Sequence, residues 1–310
     1  MIRVRDLAYA KFAVTDLDLA RQFLTDFGLS VSHEAPGEIA FSTADGNPYA
    51  YVAYQSDRNE FLGFALEAAS EKDLVVLTDS GIGRYVAPVI KGFGGQCVAT
   101  RHPDGFVIEV VHGRNRMPQQ SVRDPLAHNF GTAKQRINKS QRPPKGATPA
   151  LRLGHIALNV SSAEDSAEWF KNTFGLKEAD FLVTPDETQA LVGVFMSFDP
   201  LEEVIDHHSV FVSQSDTIKL HHIAFEVQDI DAVMSAHDFL INQGYAVDVG
   251  VGRHMAGSQV FDYWTDPFGN RIEHYSDGDV IDSTHNPGTL SGTPVELTQW
   301  GPIPPETFFQ

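Results

Sequence analysis

Leu153-Gly-His155-Ile-Ala-Leu-Asn-Val160 runs into a stretch, Ser161 to Thr173-Phe-Gly175-Leu176, whose apolar residues recur at helical spacing. The chain opens on the same pattern. Leu7-Ala-Tyr9-Ala-Lys-Phe-Ala-Val14 leads into an apolar-periodic stretch ending Asp26-Phe-Gly28-Leu29. Each copy reads as a strand, a capped helix and a glycine stop, with Ser161 and Glu164 spaced as a capping box. Later segments repeat as well. Gly63-Phe-Ala-Leu-Glu67 parallels His222-Ile-Ala-Phe-Glu226, and Pro103-Asp-Gly105-Phe-Val-Ile-Glu109 parallels Pro267-Phe-Gly269-Asn-Arg-Ile-Glu273. Asp231 to Gly244 reads as another helix stopped by glycine. Strands separated by helices of this length predict an α+β chain of two related halves, two units per half, with mixed or antiparallel sheets.

Composition narrows the class. At 310 residues and 42% hydrophobic content, the chain can build two ordinary domains with real cores. A formal charge of -18 argues against a nucleic-acid binder and against a surface that clings to anionic membranes. The single cysteine, Cys97, excludes an internal disulfide framework and a thiolate zinc site. The start, Met-Ile-Arg-Val-Arg-Asp-Leu, has no apolar signal region, and no apolar run is long enough to span a bilayer, so a cytoplasmic protein is expected. Between the halves, His112 to Pro149 carries eight basic residues and one acid, Asp124, with few aromatics and irregular spacing; it reads as a solvated linker. The tail after Asp279 is proline-rich, and its Trp300, Phe308 and Phe309 are expected to pack onto the body, over a pocket mouth.

The chemistry concentrates in the second half. Side chains alternate along a strand, so His155, Ala157 and Asn159 share one face, as do His222, Ala224 and Glu226. The alanine beside each histidine leaves room for a ring or an ion. A lone strand histidine is more often a packed structural residue. Here His-Ile-Ala recurs at His155 and His222, and a third strand brings Glu273. Two imidazoles and one carboxylate on separate strands form the ligand set that holds a non-haem Fe(II) with one face open. The first half has Tyr9 and Gly63 where these histidines stand, and only Glu109 matches a ligand. A metal is therefore expected in the second half alone, with Glu109 an ordinary polar strand residue. Of the adjacent pair His221 and His222, the match to His155-Ile-Ala selects His222 and sends His221 to the other face.

These segments, with Gly252-Arg-His254-Met-Ala-Gly-Ser-Gln-Val-Phe-Asp262-Tyr263-Trp-Thr-Asp266-Pro267-Phe-Gly269-Asn-Arg-Ile-Glu273, resemble the signature of the type I extradiol ring-cleavage dioxygenases of the vicinal oxygen chelate superfamily. Asp262 departs from it, standing where an apolar residue is usual. The resemblance implies two tandem domains, each of two βαβββ modules forming a curved, incomplete mixed-sheet barrel around a pocket. It implies a metal-free domain at 1–112, a linker at 113–150, a catalytic domain at 151–279 and a tail at 280–310.

It also implies metal ligands His155, His222 and Glu273, binding Fe(II) or Mn(II). By position His208 is the acid–base histidine, with His207 the fallback if the loop differs by one residue. Tyr263 and His254 are hydrogen-bonding partners of the substrate oxygens. The implied partners are a catechol and dioxygen, with a homo-oligomer usual among such enzymes. The tail after Arg271 has neither arginine nor lysine, and Leu191 to Phe198 offers apolar lining, which points to an uncharged alkyl- or aryl-substituted catechol. Other readings are a glyoxalase-like or 4-hydroxyphenylpyruvate-type enzyme of the superfamily, or a metal-free protein that sequesters an aromatic compound.

Overall fold

The computed structural model describes residues 1–199 and 204–309. In the first half a strand (Val4–Val14), a helix (Leu17–Asp26) and three strands (Ser30–Ala35, Glu38–Ser42, Tyr51–Gln55) make one βαβββ unit. Glu60–Ala68, the helix Glu71–Asp79, and the strands Arg84–Val86, Gly94–Arg101 and Val107–Arg114 make a second. The opening strands of the two units pair antiparallel at the centre of one eight-stranded mixed sheet.

The second half repeats the plan. Arg152–Val160, the helix Ala163–Phe174, and the strands Lys177–Val183, Leu191–Ser197 and Val210–Gln214 form its first unit. Lys219–Glu226, the helix Ile230–Gln243, and the strands Ala246–His254, Val260–Thr265 and Arg271–Ser276 form its second. Its sheet has ten strands because the tail adds one at each edge: Gly288–Ser291 beside Lys177–Val183, and Thr298–Trp300 beside Ala246–His254. The sheet edges are therefore these two short tail strands of four and three residues, and a short edge offers little ladder for misassembly. Neither sheet closes into a barrel.

Local sequence explains the turns. Gly175 and Gly244 end their helices in the left-handed conformation that only glycine adopts without strain. The capping box expected at Ser161 lies one residue on. Ser162 is the N-cap and accepts from Asp165 N, whereas Ser161 donates its hydroxyl to Asp104 of the first half. The two serines divide a local and a long-range task that spacing alone does not separate.

The halves share one apolar core. Phe27 stacks on His274 with ring centroids 3.7 Å apart, and His274 Nε2 donates to the Phe27 carbonyl at 2.7 Å. Tyr245 donates its hydroxyl to Asp26 at 2.7 Å. Most of the 115–149 segment is exposed, yet it is pinned at points, including an Arg123–Asp229 ion pair and a hydrogen bond from Gln228 to the Arg123 carbonyl.

Candidate metal centre

Along Arg152–Val160, Ile156, Leu158 and Val160 enter the core beneath the helices, and His155 and Ala157 turn to the concave side of the sheet. The neighbouring strands complete the set. His155 lies opposite Ala224, and Ala224 is beside Glu273, so three strands deliver three side chains to one point. His155 Nε2 is 3.1 Å from His222 Nε2 and 3.0 Å from Glu273 Oε2, and His222 Nε2 is 3.3 Å from that oxygen. All three residues are buried, and Glu273 is fully inaccessible.

His221 is not on the opposite face. It is buried, lines the same cavity, and its Nδ1 is 2.6 Å from His222 Nδ1. The reason is a β-bulge. The register runs from Ala157–His222 directly to Leu158–Leu220, leaving His221 as the extra residue, so strict alternation fails at this step. A second bulge leaves Gly154 unpaired beside His155. A Cβ on Gly154 would lie 1.8 Å from the Tyr275 hydroxyl, so this close approach requires glycine.

The hydrogen bonds assign protons. His221 Nε2 donates to the Phe308 carbonyl at 2.7 Å, so its Nδ1 accepts from His222 Nδ1–H. His222 then presents a bare Nε2 to Glu273, the form a metal-ligating histidine needs. Burial pushes His222 down to about 4, so its imidazole is neutral at pH 7. For Glu273, burial works against the charged form, but the His155 imidazole, the largest opposing cause, helps hold the carboxyl well below its usual range. Its Oε1 has no partner among the described residues. A buried anion with an orphaned oxygen and converging nitrogen and oxygen donors fits a divalent cation, which would supply the missing positive charge.

A cavity opens around this point. Leu182, Phe195, Phe211, Ala256 and Leu297 give it apolar walls, with Phe195 coming from the stretch read as lining. Further polar residues line it, among them His208, His254 and Tyr263. His208 sits with its ring centroid 4.7 Å from that of His155, and His254 Nε2 pairs with the Tyr263 hydroxyl at 2.9 Å. Burial pushes His254 down to about 4, holds His208 well below its usual value, and raises the Tyr263 phenol well above its own. His207 stands behind His208, outside the cavity lining. The tail closes one side through Pro304 and Phe308, while Trp300 stays partly exposed against Arg253; the Phe309 side chain lies outside the described residues.

Asp262, the departure from the motif, is fully buried on the far face. It accepts from Trp264 Nε1 at 2.7 Å and contacts His237 Nδ1 at 2.9 Å, so His237 supplies what an apolar residue would not need. Asp180, His207 and His285 form a second group with ligand atoms within 4.8 Å of one another. Its atoms are engaged in hydrogen bonds: His207 with Asp180 at 2.9 Å, Asp180 with Gly288 N, and His285 with the Ala179 carbonyl at 2.7 Å. It is a hydrogen-bonded network.

The first half has the same frame with other contents. Tyr9 and Glu109 both lie opposite Ala65, as His155 and Glu273 lie opposite Ala224, and Lys11 lies opposite Gly63, as Ala157 lies opposite His222. Glu109 is buried and paired with Lys11, so it is more than an ordinary polar strand residue. Lys11 fills the room that Ala157 leaves open.

No helix among the described residues is long and apolar enough to cross a membrane. Over an alignment of 310 residues the chain is 27% identical to metapyrocatechase 2 of Cupriavidus necator, covering 98% of this chain and 91% of that protein. Homoprotocatechuate 2,3-dioxygenase from Brevibacterium fuscum superposes with a TM-score of 0.82 at 18% identity, over 99% of this chain and 92% of that one. A Mn(II)-bound glyoxalase from Novosphingobium aromaticivorans superposes with a TM-score of 0.80 at 21% identity, over 99% of this chain and 94% of that one. The profile of the glyoxalase/bleomycin resistance protein/dioxygenase superfamily matches residues 152–274, the segment that contains His155, His222 and Glu273. The likeness to that superfamily thus lies in the segment that carries the converging trio.

Proposed function

We propose that this protein is an extradiol dioxygenase that opens the aromatic ring of a catechol with both atoms of dioxygen. The observation that carries the reading is the meeting of His155 Nε2, His222 Nε2 and Glu273 Oε2 at the floor of an apolar cavity. Fe(II), or Mn(II), held by these three supplies a Lewis-acidic centre where a catechol and dioxygen meet. The remaining work falls to side chains. His208, neutral in its buried setting, accepts the proton of a catechol hydroxyl and returns it later, a role that typically contributes about 100- to 10,000-fold. Tyr263, whose phenol stays protonated, and His254, which its hydroxyl touches, stand beside the substrate oxygens as hydrogen-bonding partners. The apolar walls exclude water.

The cavity also bears on the substrate. Apart from Glu273 at the floor, no lysine, arginine, aspartate or glutamate is among its described lining residues. Arg271 turns away to Asp248 and to the Phe308 carbonyl, and Arg253 to Asp277. An uncharged alkyl- or aryl-substituted catechol fits this wall, whereas a carboxylate would find no counter-ion. A glyoxalase-like reaction would call on an additional glutamate that this wall does not offer. The domains are then a metal-free 1–112, a linker 113–150, a catalytic 151–279 and a tail 280–310, in a cytoplasmic homo-oligomer.

The test is metal analysis of anaerobically purified protein, followed by oxygen uptake with a panel of catechols. Stoichiometric iron or manganese and a yellow ring-opened product are expected. Protein without either metal, or loaded protein that consumes no oxygen with any catechol, overturns the reading.

A further inference from the structure

Behind His208 stand two residues that do not touch the cavity. His207 Nδ1 lies 3.1 Å from His208 Nδ1, and His207 Nε2 lies 2.9 Å from Asp180 Oδ2. Both imidazoles are 4% exposed, so the bond between them is shielded from water. Two nitrogens in contact require that one carry the hydrogen and the other the lone pair. The chain of bonds decides which.

Asp180 is the fixed end. Its Oδ1 accepts from Gly288 N at 2.6 Å across the parallel pairing of the Lys177–Val183 and Gly288–Ser291 strands. Partial burial opposes its charge, but the bonds from His207 and Gly288 N and the nearby His285 ring hold the carboxyl below its usual value. An ionised carboxylate only accepts. As a neutral imidazole, His207 must therefore carry its hydrogen on Nε2, which leaves Nδ1 bare. His208 must then carry its hydrogen on Nδ1, which leaves its other nitrogen, Nε2, as the lone pair available to the cavity.

We propose that Asp180 and His207 are positioning residues that lock His208 in the Nδ1–H tautomer, so that its Nε2 is the atom that takes the substrate proton. This rests on the dioxygenase reading only for the last step. The tautomer assignment stands or falls without it.

The decisive variant is Asp180→Asn. Gly288 N holds the amide oxygen, so the amide N–H₂ takes the place of Oδ2 and donates to His207 Nε2. His207 becomes the Nδ1–H form, donates to His208 Nδ1, and moves the His208 hydrogen onto Nε2. Asp180→Ala removes the acceptor without supplying a donor, so it loosens the lock without reversing it. A residue needed only for folding would give the opposite order, with alanine worse than asparagine.

Two measurements check this. In metal-free protein labelled with 15N-histidine, ring nitrogen shifts report each tautomer, with His208 assigned by its loss in His208→Phe. The expected result is His208 in the Nδ1–H form in the parent protein, the Nε2–H form in Asp180→Asn, and a mixture in Asp180→Ala. In loaded enzyme, kcat falls about 100-fold in Asp180→Asn and about 10-fold in Asp180→Ala, with KM and metal content unchanged. An unchanged His208 tautomer in Asp180→Asn overturns the proposal, as does a kcat in Asp180→Ala below that of Asp180→Asn. If the parent enzyme opens no catechol, the dioxygenase reading fails while the nitrogen shifts still decide the lock.

Discussion

Lys11 Nζ lies 2.7 Å from Glu109 Oε1, and the Tyr9 hydroxyl donates to the other carboxylate oxygen at 2.7 Å. This places an ammonium group beside the carboxylate that, in the other half, belongs to the proposed metal site. The first half thus keeps the acid of the duplicated frame and neutralises it with a covalently attached cation. Lys11→Met strands Glu109 in a site where its side chain is 8% exposed. A loss of about 3 kcal/mol is expected, because removing one partner of a buried pair leaves an uncompensated charge. Lys11→Met combined with Glu109→Gln should recover most of it. Urea denaturation of the parent, single and double variants checks both steps.

Asp6 gives the pH dependence an unusual sign. Burial raises its carboxyl from 3.8 to about 6, partly offset by Arg152, with Asp45 and Asp206 adding to the rise. The folded protein therefore holds this proton more tightly than the unfolded chain does. Its contribution favours the fold at low pH, declines between about pH 4 and 6, and stays unfavourable above that. Asp6→Asn keeps an oxygen for Leu7 N and removes the titration. It should match the parent below pH 4 and exceed it at pH 7 by roughly 2 kcal/mol. Denaturation midpoints at pH 3.5, 5 and 7 check this. A variant no more stable than the parent at pH 7 would contradict it.

Gly154→Ala places a Cβ 1.8 Å from the Tyr275 hydroxyl and 2.5 Å from the ring carbon that bears it. Tyr275 is buried with its ring centroid 5.0 Å from that of His155, so the ring has nowhere simple to go. Overpacking of this kind typically costs about 1–3 kcal/mol. Because the strain falls beside a ligand, metal retention during gel filtration should drop along with melting temperature. A variant with unchanged metal content would show that His155 is held independently of this bulge.

His208→Phe and Tyr263→Phe separate metal binding from chemistry. Neither residue belongs to the converging trio, so both variants should purify with the parent's metal content. Turnover of the best catechol should fall about 100-fold or more for His208→Phe, with a smaller fall for Tyr263→Phe. Stopped-flow oxygen consumption at saturating catechol provides the measurement. Full activity in His208→Phe would remove His208 from the reaction.

Much of this was legible beforehand because duplication and strand alternation leave marks in sequence. The repeat located both units in each half, and His-Ile-Ala on two strands pointed to His155 and His222, which the structure brings together with Glu273. Alternation failed at His221, where an inserted residue breaks the period of two and nothing in composition announces it. The Lys11 substitution was present in the alignment of the two openings, which sets Lys11 against Ala157, but its meaning needed the distance to Glu109. Asp180 and His285 could not be found by spacing at all. Asp180 meets His207 from a strand 27 residues earlier, and His285 arrives only because the tail returns to that sheet edge, a contact spanning more than a hundred residues.

The bond from His221 to the Phe308 carbonyl has one more consequence. His222 keeps a lone pair toward Glu273 because His221 offers it an acceptor, and His221 offers that acceptor because residue 308 is seated. Protease trimming at Pro304 or a bulky fusion near Phe308 would thus disturb a nitrogen that it never touches. A preparation clipped there should lose its ion more readily while its sheets stay intact.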